Sequence, residues 1–329
     1  MTKVKWLNAR KAELLPTQYF HNVFTLPHEI NAVALCNKAA IYRILFKAVS
    51  ETLLQFGKDP DKGLGGDLGF IAILHTWDQQ LNYHLHLHCV VPGGALCDTG
   101  TRWNACANDF LFPVKAMSKV FRGKFMEELQ GAYDSEDLIF PGETRTLGTP
   151  HSFKGLVNSM WQKDWIVYSK PPFAGPGTVL EYLARYTHRV AISNHRIRSL
   201  EEGTVTFSVK DRKTDTTKEK SLGAIEFTRR FLMHVVPKNF MRIRHFGFLA
   251  NRCKKRNIKL CRELLEVSES LSDPVRESVR EMMLALTGTD ISRCRSCKKG
   301  TMLVIAELPE LTGPNAYDVI NRHRIKGVP

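Results

Sequence analysis

The stretch YHLHLHCVV, residues 83–91, places three histidines at alternate positions, His84, His86 and His88. Its aromatic and β-branched side chains, with Pro-Gly-Gly directly after it, predict a β-strand that stops at residue 91. Successive side chains of a strand point to opposite faces, so the three imidazoles share one face of the sheet. Two neighbouring histidines can hold one divalent metal ion, and the row therefore favours a metal site. The alternative is a polar sheet face whose histidines are hydrogen-bonded.

Around this strand, helices and strands follow each other in no strict alternation, which predicts an α+β fold with helices on one side of a sheet. Strands are predicted at residues 19–26, 68–77, 83–91 and 166–168, with one or two more within 190–209. Helices are predicted at residues 31–56, 115–131, 153–165, 178–187 and 222–236, and loops at residues 57–67 and 171–177. The segments 68–77 and 83–91, joined by a short polar turn, predict an antiparallel hairpin.

The positive charge is concentrated in one part of the chain. The 329 residues carry a net charge of +14, and residues 185–259 hold 19 Lys or Arg against six Asp or Glu. Such a concentration is typical of a surface that binds a polyanion, because neutralised phosphates release counterions. A solvated basic face without a partner is the alternative. The candidates for contacts with DNA are Arg185, Arg189, Arg229, Arg230, Arg242 and Arg244. Arg242 and Arg244 alternate in the short segment RIRH, residues 242–245. If this segment is a strand, both arginine side chains point to the same side of it.

Composition excludes several classes of protein. With 43% apolar residues the chain can bury a core as one large domain or two modest ones, and nothing indicates disorder or a collagen repeat. No secretory leader is visible, and no apolar run approaches the roughly 18 to 20 residues that span a bilayer. We therefore expect no membrane partner and a location in the cytoplasm. The eight cysteines are expected to be reduced.

A second motif is EYLARYTHR, residues 181–189. On a helix Tyr182 and Tyr186 lie one turn apart on the same face, and Arg185 and Arg189 form a second such pair beside them. A tyrosine hydroxyl, with an ordinary pKa of about 10, needs cationic neighbours to attack at neutral pH. Aromatic residues at this spacing are usually core contacts, so the motif gains meaning only from the basic surface and the histidine row.

These motifs resemble those of a known family. HLHCVV, residues 86–91, resembles the histidine–hydrophobic–histidine motif that names the HUH endonucleases, and FTL, residues 24–26, resembles their first motif. The chain as a whole is most similar to the two-tyrosine rolling-circle transposases of the insertion-sequence ninety-one family. The resemblance runs in order through residues 15–31, 74–96, 120–125, 182–194 and 226–252.

The resemblance implies a fold, a site and a reaction. The fold is an HUH endonuclease-like central antiparallel sheet of about five strands with flanking helices, followed by a basic C-terminal extension. His86 and His88 are the implied metal ligands and Tyr182 and Tyr186 the implied nucleophiles. The metal is Mg²⁺ or Mn²⁺ on family grounds, and imidazole ligands alone lean to Mn²⁺. The implied partners are single-stranded DNA at the ends of a mobile element and target DNA, in a bacterial protein that joins the nucleoid when it acts.

Family members also have a third, polar metal ligand, for which His75 is the first candidate. In one register of the predicted hairpin His75 stands opposite His86, and a shift by one residue turns it to the other face. His84 is the alternative, and Gln79 or Gln80 could serve if the turn folds back.

The resemblance also predicts how the chain is divided. Family members begin with a cysteine-rich zinc-binding segment, which this sequence lacks. The expected parts are a remnant of that region at residues 1–17, a nuclease core at 18–200, a basic DNA-binding extension at 201–262 and a tail at 263–329.

The tail contains one C-x-x-C pair, Cys294 and Cys297, a candidate for structural zinc. Zinc takes four ligands in such sites, and Cys253, Cys261 and His323 fit no known spacing with this pair.

Three other functions stay open at this point. A related relaxase or replication initiator would use the same chemistry. A catalytically inactive nucleic-acid-binding remnant would keep the charge without the cleavage. A metal enzyme acting on small substrates would need only the histidines, but the basic segment argues against it.

Overall fold

A computed structural model describes residues 2–107, 109–170, 191–211 and 214–266 and, further along, residues 280–281, 284, 288, 290–294, 296–297 and 299–302. The chain divides into two units, Thr2–Pro274 and Val275–Pro329. The sheet and the helices below belong to the first unit. The predicted loop at 171–177 and the predicted helix at 178–187 lie outside the described residues.

Ten strands and seven α-helices are formed by the described residues. The strands are β1 (Tyr19–Thr25), β2 (Phe70–Trp77), β3 (Tyr83–Pro92), β4 (Gly94–Leu96), β5 (Trp103–Ala105), β6 (Val167–Lys170), β7 (Ile197–Glu201), β8 (Thr204–Lys210), β9 (Thr217–Gly223) and β10 (Ile243–Phe246). The helices are α1 (Thr2–Ala12), α2 (Asn31–Cys36), α3 (Lys38–Lys58), α4 (Val114–Asp134), α5 (Pro150–Trp161), α6 (Ala224–Met233) and α7 (Lys254–Leu264).

The central sheet has five strands in the order β10-β2-β3-β1-β6, and every neighbouring pair is antiparallel. The predicted α+β class, with a five-stranded antiparallel sheet and flanking helices, is confirmed. The predicted hairpin is β2 and β3, which occupy the middle of the sheet. Strands β7, β8 and β9 form a separate three-stranded sheet, of which β9 was not predicted, and β4 and β5 form a short ribbon.

One face of the central sheet carries the main core. Phe20 and Phe24 of β1 and Leu87 of β3 are fully buried there against apolar side chains of α2, α3, α4 and α5. Phe24 meets Phe121 of α4 edge to face, with ring centroids 5.2 Å apart. A buried aromatic or leucine side chain contributes roughly 1.5–3 kcal/mol, so these alternate residues set which face turns inward. The residues between them are thereby turned to the opposite face.

The opposite face is covered at its two ends by smaller cores. At one end Ile73 and Val90 pack in a cluster that also contains Ile258 of α7 and, at its margin, Trp6 of α1. At the other end Trp77 packs in a cluster with residues of the three-stranded sheet and α6. Helices therefore lie on both faces of the sheet, not on one as predicted, because on this face β2 carries apolar side chains on either side of His75 and Val90 of β3 adds to one of the two ends.

The predicted helix at residues 31–56 is two helices, α2 and α3, which meet at Asn37. The Asn37 side-chain amide donates hydrogen bonds to the carbonyl oxygens of Val33 and Ile139, at 2.9 and 2.8 Å, and its oxygen accepts one from Ile139 N–H. Asparagine competes with regular helix in this way, and here the competing partner comes from a loop distant in sequence. Apolar spacing alone carries no sign of that partner.

In the part of the chain that the structure describes, none of the helices combines the length and the apolar character needed to cross a membrane.

Candidate metal centre and its surroundings

Three histidines converge between the two smaller cores. His75 of β2 is paired with His86 of β3, one of the two registers that the sequence left open, and His88 follows two residues further along the same face. His75 Nδ1 lies 2.7 Å from His86 Nε2 and 3.4 Å from His88 Nε2. All three side chains are buried, and one nitrogen of each lies within 4.8 Å of the others. Of the two registers, the structure therefore has the one that turns His75 to the face of His86 and His88.

The outer ring nitrogens determine how His86 and His88 face the cluster. His86 Nδ1 lies 2.9 Å from the His84 carbonyl oxygen. A carbonyl can only accept, so neutral His86 carries its proton on Nδ1 and presents the Nε2 lone pair inward. His88 Nδ1 lies 2.8 Å from His21 Nε2, which leaves Nε2 of His88 on the cluster side as well. Both strand histidines thus offer the same atom to the space they share with His75.

The donor set fits a divalent transition metal. A metal ion about 2.0–2.1 Å from each imidazole nitrogen holds its ligand atoms roughly 3 Å apart. The two separations from His75 Nδ1, 2.7 and 3.4 Å, lie on either side of that value, and all three nitrogens lie within 4.8 Å of one another. Imidazole suits Mn²⁺, Zn²⁺ or Cu²⁺ better than Mg²⁺. Elsewhere in the described ranges, no other three His, Cys, Asp or Glu side chains come together in this manner.

The other candidates for the third ligand lie outside this cluster. His84 is exposed, although its ring centroid is only 4.8 Å from that of His86. Gln80 is in the β2–β3 turn, where its side-chain oxygen accepts a hydrogen bond from Lys220 at 2.7 Å. The Gln79 carbonyl oxygen accepts one from Arg196. His75 therefore has the best position for a third ligand, and its role as a ligand stays a prediction.

The turn between β2 and β3, residues 78–82, is held by side chains from beyond residue 190. Arg230 of α6 donates to the side-chain oxygen of Asn82 at 2.9 Å. His234, just after α6, lies with Nε2 3.2 Å from the Leu81 carbonyl oxygen and Nδ1 3.3 Å from the Thr76 hydroxyl. These contacts, with those of Arg196 and Lys220, fix the tip of the hairpin next to the histidine cluster.

Four of the arginines predicted to contact DNA are described. Arg229 and Arg230 both pair with Glu226 on α6, at 2.6 and 2.7 Å. Arg244 lies over the ring of Phe46, with its guanidinium carbon 4.2 Å from the ring centroid, and so belongs to the sheet face opposite the histidines. Arg242 directly precedes β10 on the same side by alternation. Contacts of these residues with DNA stay predictions, and those of the last two would be separate from the metal centre.

The predicted nucleophiles and their neighbours lie outside the described residues: Tyr182, Tyr186, Arg185 and Arg189.

The C-x-x-C pair belongs to the second unit and forms a tight turn. Cys294 N–H donates to the Gly300 carbonyl oxygen at 2.7 Å, and Gly300 N–H donates to Cys297 Sγ at 3.2 Å. Hydrogen bonds from the backbone N–H of Gly300, which has the largest effect, and from that of Lys299 lower the pKa of Cys297 below its ordinary value. A thiolate stabilised in this way can bind a metal, but two sulfurs are half of a zinc site. Structural zinc here stays a prediction.

One residue of this region was not singled out from the sequence. His21 lies on β1, the strand beside β3, and its ring stacks on His88 with centroids 5.1 Å apart. Burial lowers the pKa of His21 to about 4, so its ring is neutral near pH 7. The alternation of side chains in β1 could have identified it, because His21 is on the same face as Val23, and Val23 is paired with His88. Using it requires knowing that β1 is the neighbour of β3.

Comparison with known proteins places the chain among transposases. The family model Y2_Tnp, "Putative transposase", matches residues 69–257. The "Putative transposase y4qJ" of Sinorhizobium fredii (strain NBRC 101917 / NGR234) is 44% identical over 317 residues, which cover 95% of this chain and 79% of that protein. The transposase for insertion sequence element IS801 of Pseudomonas savastanoi pv. phaseolicola is 26% identical over 295 residues, which cover 89% of this chain and 69% of that protein.

The chain belongs to the Y2_Tnp transposase family. The resemblance inferred from the motifs is thereby confirmed. Among solved structures, the metal-bound conjugative relaxase TrwC in complex with OriT DNA is 15% identical, with a TM-score of 0.29, covering 74% of this chain and 71% of that one.

Proposed function

We propose that the chain cuts and rejoins single-stranded DNA with the help of a metal ion, through a 5′-phosphotyrosine intermediate, in rolling-circle transposition. The observation that carries the proposal is the buried cluster of His75, His86 and His88 at the centre of the sheet of a transposase-family chain. Its substrates would be single-stranded DNA at the element ends and target DNA in the bacterial cytoplasm.

The reaction exchanges one phosphodiester for another. A tyrosine hydroxyl oxygen attacks the scissile phosphorus, the bond from phosphorus to the 3′ oxygen breaks, and that oxygen leaves as a hydroxyl with the proton that the tyrosine gives up. When bound to the three histidines, Mn²⁺ or Mg²⁺ would supply polarisation of the scissile phosphate. Attack by a 3′ hydroxyl on the phosphotyrosine reverses the step and rejoins the DNA.

Two nucleophiles suit this cycle, because one 5′ end must be held while another is attacked. The sequence offers Tyr182 and Tyr186, four residues apart, a spacing that a helix would turn into one full turn. We propose Tyr186 for the first cut, since Arg185, Arg189 and His188 flank it and cations favour the phenolate. A relaxase or replication initiator would use the same steps, and family membership favours transposition. An inactive DNA-binding remnant is distinguished from both by the absence of an adduct.

The direct test is formation of a covalent adduct. The protein is incubated with labelled single-stranded oligonucleotides from the ends of its own element and Mn²⁺, and an adduct that survives SDS is expected. His86→Ala and His88→Ala should abolish the adduct while leaving DNA binding largely intact. His84→Ala is the matched control, because His84 is on the same strand face but exposed and outside the cluster. Normal cleavage by both cluster variants would exclude the proposed mechanism.

The tyrosines are tested separately. Each single Tyr→Phe variant at 182 or 186 should retain some oligonucleotide cleavage, whereas the double variant should form no adduct. Complete transposition should need both. Peptide mapping of the adduct identifies the first nucleophile: label on Tyr182 alone would reverse the proposed order, and label on neither tyrosine would exclude both.

A further inference from the structure

We infer that His21 is a positioning residue for the metal ligand His88: it accepts the Nδ1 proton of His88 and so holds the Nε2 lone pair on the metal side. The inference rests on the proposed function, because it takes His88 to be a ligand.

The hydrogen bond has one donor and one acceptor, and its direction is determined by the cluster. His21 Nε2 and His88 Nδ1 are 2.8 Å apart, so one of the two nitrogens must carry the proton. A metal-bound His88 Nε2 has no proton, and a neutral ring must then carry it on Nδ1. His21 Nε2 is therefore the acceptor, and His21 holds its own proton on Nδ1. Metal-binding histidines usually donate their other N–H to a neighbouring acceptor, which fixes both tautomer and ring orientation.

The backbone places the two rings together. β1 and β3 are paired with Val23 opposite His88 and His21 opposite Val90, so His21 and His88 are diagonal neighbours on one face. The rings are nearly parallel, with an interplanar angle of 18°. On its far side His21 meets the edge of Tyr168 of β6, with ring centroids 6.3 Å apart. His21 is thus held between the ligand and the edge strand of the sheet.

His86 has the equivalent support from a different source. Its Nδ1 proton goes to the carbonyl oxygen of His84, two residues earlier on the same strand. That acceptor is backbone and is present whatever side chains surround it. For His88 the acceptor is a side chain on another strand, so His88 is the ligand whose orientation one substitution can release.

His21 itself is not placed as a ligand. The nitrogen that faces the cluster region, Nε2, is the one bound to His88 Nδ1, and His21 is not among the three side chains whose nitrogens converge. The competing explanation is that His21 only fills space by stacking on His88. The two roles differ in the substitutions of His21 that they tolerate. A packing role tolerates an apolar residue of similar volume, whereas a positioning role requires an acceptor atom at the position of Nε2.

The experiment compares His21→Leu with His21→Gln in the full chain. Leucine keeps volume and loses the acceptor, and the glutamine side-chain oxygen reaches about as far as Nε2. Loss of such a partner typically weakens metal binding about 10- to 100-fold, so the Kd for Mn²⁺ should rise by that factor in His21→Leu and largely recover in His21→Gln. His245→Leu is the matched control, since His245 lies on the same sheet face but is paired with Ile71, away from the cluster. Thermal melting of each variant confirms that it is folded.

Two spectroscopic measurements do not depend on cleavage. With Co²⁺ at saturation, the visible absorption of His21→Leu should differ from wild type, because a released His88 changes the ligand geometry, and that of His21→Gln should not. In Zn²⁺-loaded protein with ¹⁵N-labelled histidine, His88 should carry its proton on Nδ1.

The outcomes separate the two proposals. Metal binding by wild type that is lost in His86→Ala supports the site. If His21→Leu then binds Mn²⁺ as wild type does, or if both His21 variants lose affinity equally, the positioning role is overturned while the proposed function stands. If His88 carries its proton on Nε2 in the Zn²⁺-loaded protein, the role is overturned as well. Absence of saturable binding by wild type overturns the metal centre, and the inference about His21 with it.

Discussion

His234 predicts an acid-sensitive fold, and the size of the effect can be worked out. The side chain is buried at the tip of the β2–β3 hairpin, with Nε2 facing the Leu81 carbonyl oxygen and Nδ1 facing the Thr76 hydroxyl. Its ring stacks on that of Tyr83, with centroids 6.1 Å apart. Burial lowers the pKa of His234 from 6.5 to about 4, so the folded chain holds this ring neutral.

The sign follows from where the proton binds. Between pH 6.5 and 4 the unfolded chain takes up a proton at residue 234 and the folded chain does not, so the free energy of unfolding falls as the pH falls through that window. Going from pH 8 to pH 5, the difference between the two pKa values makes the loss from this one group about 2 kcal/mol. Above pH 7 the group contributes almost no pH dependence.

Urea unfolding of wild type and His234→Gln at pH 8 and pH 5 measures this loss. Glutamine keeps an N–H donor for the Leu81 carbonyl oxygen but does not titrate. Comparing the two proteins cancels the other buried histidines, since His245 also has its pKa lowered to about 4 and is present in both. The variant should lose about 2 kcal/mol less than wild type on acidification. Equal losses in the two proteins would refute the argument that residue 234 is buried as a neutral base.

Three further predictions concern the basic residues and the metal. Arg230→Leu should lower the melting temperature by a few degrees, because the hydrogen bond from Arg230 to Asn82 holds the hairpin tip and hydrogen bonds of charged groups contribute about 1.5–3 kcal/mol. Arg229→Leu is the control and should not lower it, since the partner of Arg229 is on its own helix. Equal melting temperatures of the two variants would contradict the role of Arg230. Replacing Arg242 and Arg244 together should make the salt dependence of single-stranded DNA affinity shallower, by a log–log slope of about 0.7 per lost phosphate contact; an unchanged slope would exclude them from the DNA surface. EDTA should abolish cleavage and spare DNA binding, whereas loss of both would mean that metal supports the fold.

The sheet and the histidine cluster were predictable because a local pattern specifies them. Alternating apolar residues in β2 and β3 turn one set of side chains into the core, and this leaves His75, His86 and His88 on the other face. The short turn between the strands limits the possible registers, and only one of them puts His75 opposite His86. A two-residue period and one turn thus suffice for this part of the site.

Other parts depend on partners that the sequence does not identify. The break at Asn37 requires the backbone of Ile139. The role of His21 requires β1 to lie beside β3, and the order of strands in the sheet cannot be predicted from any single segment of the sequence. Strand β10 was expected only as part of a basic extension, yet it pairs with β2 at the edge of the central sheet. Each of these contacts joins residues tens to hundreds of positions apart, where periodicity carries no information.

The basic segment stabilises the fold as well as carrying charge, and this changes how its charge should be interpreted. Phe248 and Ile258 complete the small core over Ile71 and Ile73, and Phe227 packs against the core at the hairpin tip. Without these side chains β2 would lose apolar cover on the face that carries the histidines, at a cost of roughly 25 cal/mol for each Å² exposed. Several lysine and arginine side chains of the same segment donate hydrogen bonds to residues of the β2–β3 turn. A count of lysines and arginines therefore overstates the number left for phosphates, and the measured salt slope should correspond to fewer contacts than the net charge suggests.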